Sequence, residues 1–200
     1  MFVLASASKA RQKLLNQITL NYKVVVSDFD ESKLVETDPC LKVKYLAREK
    51  ANSSLKKLND LKENHLTTFQ ALLACDSLFE FEGEIFGKPI NKDQLFSRLQ
   101  RMSGKSGFLH TGHHLISIEN SNDDKSISVK RIFEGVVSTK IEFTSISTKD
   151  IIKYASISEP YQCAGGFAIE GKASIFIKNI YGCFSNVIGI SLPWLKSNLD

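Results

Sequence analysis

Within its first fifteen residues the chain passes from an apolar run, Phe2-Val3-Leu4, through Ser6 and Ser8 to Arg11 and the apolar pair Leu14-Leu15. A strand therefore ends where a helix begins, which is the arrangement of a phosphate pocket. Ser6 and Ser8 offer hydroxyls and free backbone N–H groups at the helix start, and Arg11, one turn in, can reach an anion held at the helix's positive end. The competing reading makes Ser8 a plain N-cap and Arg11 a solvated surface charge.

The remaining composition narrows the class of protein. With 200 residues, 42% hydrophobic and 24% charged, the chain suits a single domain over residues 1–200 with one well-buried core. A net charge of +4 spread along the chain excludes a nucleic-acid-coating protein and leaves a small anionic ligand as the fitting partner. No apolar run approaches the ~18 residues of a membrane span, and the start lacks the basic leader of a signal peptide, so a cytoplasmic protein without membrane association is expected. Cys40, Cys75, Cys163 and Cys183 stand far apart without a C-x-x-C pair, which argues against zinc and disulfides alike.

Alternation and apolar runs predict strands at 2–5 and 23–27, a helix from Pro39 to about residue 58, and a buried strand at 71–75. Strands at 77–81 and 84–86 form a hairpin about Glu82-Gly83. Asn91 with Gln94 resembles a capping box opening a helix that carries Leu95, Leu99 and Met102 on one face and ends at Gly104. Strands follow at 110–119, 126–133 and 136–143, with a turn at 120–124. Ser147 and Asp150 cap a helix running to residue 157. A strand at 173–180, a small-residue loop at Ser185-Asn186 and a terminal helix including Trp194 complete the series. Antiparallel hairpins between helices imply an α/β or α+β sheet with a cleft.

Several residues stand where structure alone does not call for them. Lys50 falls inside the apolar stripe of Val43, Leu46, Ala47, Ala51, Ser54 and Leu58, where an inward lysine needs an anion and a snorkelling one does not. Asp76 follows the apolar run Ala71-Leu72-Leu73-Ala74-Cys75 directly; a carboxylate at such a strand end binds a metal, takes a proton from water, or makes an Asx turn. Gly87-Lys88-Pro89 fixes a lysine on a loop, or is a simple turn. Glu31 and Glu170 offer acidic ligands for a hard divalent cation, or are solvated charges. Two motifs are set aside. Residues 166–172 have P-loop spacing, but Ala173 replaces the hydroxyl that would hold magnesium and the following residues read as strand. His110, His113 and His114 lie on a strand whose alternation sends His113 to the opposite face from the other two.

In order along the chain, Leu4-Ala5-Ser6-Ala7-Ser8 with Arg11, Asp30-Glu31-Ser32, Leu46-Ala47-Arg48-Glu49-Lys50-Ala51, Cys75-Asp76-Ser77, Gly87-Lys88-Pro89, Met102-Ser103-Gly104, Thr111-Gly112, Cys163-Ala164-Gly165, Glu170-Gly171 and Ser185-Asn186-Val187 through Leu192-Pro193 resemble the Maf family of nucleoside triphosphate pyrophosphatases. The resemblance implies an α/β fold like that of the inosine triphosphate pyrophosphatases, two-lobed, with an elongated mixed sheet and a central cleft. It implies cleavage between the α and β phosphates with a divalent metal cation, magnesium or manganese, and a homodimer. Carried over, Asp76 accepts the proton of the attacking water, Ser8, Arg11, Lys50 and Lys88 hold the triphosphate, and Glu31 places the cation. Ala10 stands where the family often has a large or basic residue, Ser77 and Glu170 depart from the pattern of thymidine- and uridine-directed members, and the stretch from Cys163 to Gly171 looks more like the branch acting on methylated guanosine triphosphate. A carboxylate at Glu170 accepts from the ring N–H and amino group of guanine. The alternative is a catalytically weak nucleotide-binding regulator of cell division.

Overall fold

The computed structural model describes residues 1–18, 21–31, 34–62, 68–120 and 127–199. Its centre is a seven-stranded mixed sheet in the order β2-β1-β3-β5-β6-β7, with β4 added to β3. Strands β1 (Phe2–Leu4), β2 (Tyr22–Val24) and the first third of β3 (Ala71–Phe81) run parallel; β4 (Glu84–Phe86), β5 (Ser106–Asn120), β6 (Ile127–Phe143) and β7 (Ile177–Tyr181) pair antiparallel. Among the described residues six α-helices flank it: α1 (Lys9–Gln17), α2 (Pro39–Lys62), α3 (Lys92–Met102), α4 (Thr148–Ala155), α5 (Phe184–Ile188) and α6 (Leu192–Leu199). No described helix is long and apolar enough to cross a membrane.

Local signals set most of these elements. Ser8, Asn91 and Ser147 each cap a helix through the side-chain oxygen, accepting from Arg11, Gln94 and Asp150 N–H respectively. The α2 stripe Val43, Leu46, Ala47, Ala51, Ser54 and Leu58 is fully buried or nearly so, and Gly112 on β5 lets the helix backbone lie directly on the sheet. A Cβ at Gly112 would strike the Val43 carbonyl and come within 2.7 Å of Lys44 N.

Four elements differ from the sequence reading. The runs at 71–75 and 77–81 are one strand, because β5 pairs with β3 from Ala71 to Glu80 without a break, so Asp76 lies within a strand. The runs at 126–133 and 136–143 are likewise one strand. Glu134-Gly135 does not turn, since Gly135 pairs with His113 and its missing side chain makes room for the Trp194 indole. Residues 172–176 form a 3-10 turn burying Ala173 and Phe176 three apart, and β7 starts only at Ile177. Ser185-Asn186 belong to helix α5. Of the turn expected at 120–124, Asn120 closes β5 and residues 121–124 lie outside the described residues. His113 does face away from His110 and His114: it accepts from Ser191 N and stacks on Trp194, whereas the other two meet Glu80 and Glu134.

The apolar interior divides into three clusters. Two cover opposite faces of β1, β3 and β5 and reach as far along β3 as Ala74 and Cys75; the third, under α3 and α4, begins at Phe79. Asp76, Ser77 and Leu78 lie between them, at a waist between one lobe that holds the first two clusters and another that holds the third. Along this stretch no described strand pairs with one edge of β3, because β1 stops opposite Leu73 and the last residue of β4, Phe86, lies opposite Phe79. The chain leaves β1 towards Ser6 and Ser8 on one side of the gap and leaves β4 towards Gly87 and Lys88 on the other.

Candidate active site

Asp76 faces this gap from the middle of β3. Its residue is 8% exposed, and burial raises its carboxyl above the ordinary range, opposed by the charges of Lys50 and Arg11 and reinforced by Glu31. Lys50 is the inward lysine of α2. Its ammonium bonds the Asp76 carboxylate and lies 2.7 Å from Glu31 Oε1. Glu31 remains half-exposed, at the end of the loop that follows β2. Two carboxylates from distant segments thus converge on one cationic centre.

Arg11 approaches from α1. The guanidinium donates through Nε to Gly189 O at 2.9 Å, through Nη1 to Ser6 Oγ at 3.2 Å, and through Nη2 to Ser77 Oγ at 2.9 Å. The reading of Arg11 as a solvated surface charge is therefore excluded. Of a guanidinium's five donors, these three bonds leave one N–H on each terminal nitrogen. Ser8 is the N-cap, with Oγ accepting from Arg11 N at 3.3 Å and its own N–H directed to Ser6 Oγ at 3.2 Å. Ala10 sits half-exposed in the first turn of α1, beside Arg11 in sequence.

Lys88 and Glu170 belong to the other lobe. Lys88 is exposed and, among the described residues, makes no ion pair or hydrogen bond to the cluster around Asp76. Its loop is tied by Gly165 N and Arg98 Nη1, both donating to Gly87 O. Glu170 stands exposed in a turn closed by Gly171 N donating to Ala168 O at 3.1 Å. Cys163 lies near both: burial pushes its thiol up to about 11, Glu170 and Glu159 add to this, and Lys88 opposes it. Structure thus joins Asp76, Lys50, Glu31, Arg11, Ser8 and Ser77 on one side of the waist, and sets Lys88 with Glu170 across it.

The sequence offered little sign of Thr111, Asn186 and Gly189 as individual site residues, yet they hold Arg11 in place. Ser77 Oγ lies 2.9 Å from Thr111 Oγ1, which donates to Asn186 O at 3.1 Å. Gly189 allows this close approach through its φ of 125°.

A divalent cation is compatible with the carboxylates present. Among the described residues no group of three or more His, Cys, Asp and Glu side chains is arranged around a metal position. Magnesium, however, is commonly held by one or two carboxylates together with phosphate oxygens, and Glu31 and Asp76 already meet a positive charge at Lys50.

Comparison with known proteins gives a consistent result. The family model for the Maf-like protein matches residues 1–200. A "Nucleoside triphosphate pyrophosphatase" of Prochlorococcus marinus (strain NATL1A) is 70% identical, the match covering 100% of this chain and 95% of the relative. A protein of the same name from Synechococcus sp. (strain CC9311) is 39% identical over 98% of this chain and 97% of its own. Among solved structures, the Staphylococcus aureus Ham1 protein aligns with 99% of this chain and 97% of its own at 16% identity and a TM-score of 0.45.

Proposed function

The chain belongs to the family of Maf-like proteins, and from that membership and the cluster at the waist we propose that it is a hydrolase, a nucleoside triphosphate pyrophosphatase. The observation that carries this reading is the convergence of Asp76, Lys50 and Glu31 beside the Arg11 guanidinium, at the gap between β1 and β4 along β3.

In the proposed reaction a water oxygen bonds to the α-phosphorus, its proton passes to Asp76, and the bond from that phosphorus to the oxygen bridging the β-phosphate breaks. A nucleoside monophosphate and pyrophosphate result. Burial suits Asp76 to accept that proton, because it raises the carboxyl's affinity for one, with the charge of Lys50 opposing. The two uncommitted N–H groups of Arg11, with Ser8 and the ammonium of Lys50, bind phosphate oxygens on one side, and Lys88 reaches them from the other. Glu31 would hold magnesium or manganese against the phosphates, where the cation neutralises their charge. Such hydrolysis requires positioning and charge neutralisation more than covalent chemistry. Glu170, in its turn across the waist, accepts from the Watson–Crick edge of a guanine, and a methylated guanosine triphosphate is the proposed preferred substrate.

The test is a panel of canonical and modified nucleoside triphosphates, each with magnesium and with manganese, with products separated chromatographically. Monophosphate and pyrophosphate in equal amounts are expected, and Asp76→Asn should lower kcat by ~100-fold or more. Full activity in Asp76→Asn overturns the role of Asp76. Saturable binding without phosphate products would leave a nucleotide-binding regulator in place of an enzyme.

A further inference from the structure

Arg11 is held by a chain of hydroxyl groups that runs in a single direction. Thr111 Oγ1 lies 3.1 Å from the carbonyl oxygen of Asn186, which can only accept, so the Thr111 proton is committed there. Ser77 Oγ, 2.9 Å from Thr111 Oγ1, must then be the donor in that contact. With its one proton so placed, Ser77 faces Arg11 with a lone pair, and Nη2 donates into it at 2.9 Å.

Each link is fixed by the fold. Ser77 and Thr111 are cross-strand partners on β3 and β5, and Thr111 and Asn186 are fully buried. The Asn186 amide pins α5 to the sheet, donating towards Val137 O at 3.0 Å and Thr139 Oγ1 at 3.1 Å. The same short helix ends at Gly189, whose carbonyl takes the Nε–H of Arg11. A Cβ there would stand 2.8 Å from that nitrogen.

We propose that Thr111 and Ser77 are positioning residues that aim the Arg11 guanidinium at the phosphates through the carbonyl of Asn186. This rests on the reading of Arg11 as a phosphate ligand.

The experiment measures pyrophosphate binding by calorimetry with magnesium present in the wild type, Arg11→Ala, Thr111→Val, Thr111→Ser, Ser77→Ala and Ser77→Thr. Thr111→Val and Ser77→Ala should each weaken pyrophosphate binding about tenfold, as expected for a lost bond to a charged group, and the double variant should be no weaker than either single one. Thr111→Ser and Ser77→Thr, which keep the hydroxyls, should stay within about twofold of wild type. Ser77→Ala alters a half-buried side chain, so it remains informative even if Thr111→Val fails to fold. Unchanged pyrophosphate binding in folded Ser77→Ala overturns the proposal. If Arg11→Ala loses pyrophosphate while Ser77→Ala and Thr111→Val keep it, the anchor alone is wrong. If the wild type binds no pyrophosphate, the phosphate reading of the site is wrong and the anchor falls with it.

Discussion

Asp76 is a carboxylate that the fold holds at a cost. Burial above all raises its pKa above the ordinary aspartate value of 3.8. A folded-state pKa above the unfolded one means that the associated stability is complete below pH 3.8 and is lost as pH rises through the folded value. At neutral pH Asp76→Asn should therefore melt at or above the wild-type temperature in scanning calorimetry, even as hydrolysis is lost. Lys50 opposes the upward shift, so Lys50→Met should move the acid limb of the kcat/KM profile to higher pH. An acid limb unmoved in that variant would mean that another group carries the proton. Residues of this kind are legible in a sequence because a charge inside an apolar stretch is an anomaly. Thr111 and Asn186 were not legible in the same way, since a threonine in a strand or an asparagine among small residues is ordinary.

The helix α2 depends on a glycine of the strand beneath it. Adding a methyl group at Gly112 places it against the backbone of Val43 and Lys44, which cannot rotate aside as a side chain would. Gly112→Ala should cost ~1–3 kcal/mol in denaturant unfolding and lower activity beyond what the stability loss explains, because Lys50 rides on the displaced helix. Normal activity in a folded Gly112→Ala would show that the Lys50–Asp76 contact tolerates helix displacement. Helices α2, α3 and α4 were evident from caps and apolar stripes, which operate over a few residues. Helix α5 was not: Ser185 and Asn186 favour turns by themselves, and their helical conformation is held by bonds to β5 and β6. The single long β6 overrides a local turn signal for a similar reason, its pairing with β5.

Both lobes share β3, β5 and β6, so the molecule should unfold in one cooperative transition, with calorimetric and van't Hoff enthalpies in agreement. Two separated transitions would indicate lobes that fold independently. Acid should weaken the whole molecule through His113, which is fully buried and whose pKa burial, aided by Arg11, lowers from 6.5 to about 4. The unfolded chain takes up a proton below pH 6.5 while the folded one does not, so stability is complete above 6.5 and declines towards pH 4, by on the order of 3 kcal/mol from this residue. His113→Gln should flatten that decline, as measured by urea unfolding at stepped pH.

The amino-acid order by itself determined the strand-to-helix opening, the capped helices, the buried strand and the identity of the charges set into apolar segments, because periodicity and capping are short-range. Tertiary structure alone decided that Arg11 meets a carbonyl 178 positions away, that Lys50 lies between Asp76 and Glu31, and that Lys88 stands apart from them. Those relations depend on strand register and on close backbone approach at Gly112 and Gly189, which arise only when distant segments pack together.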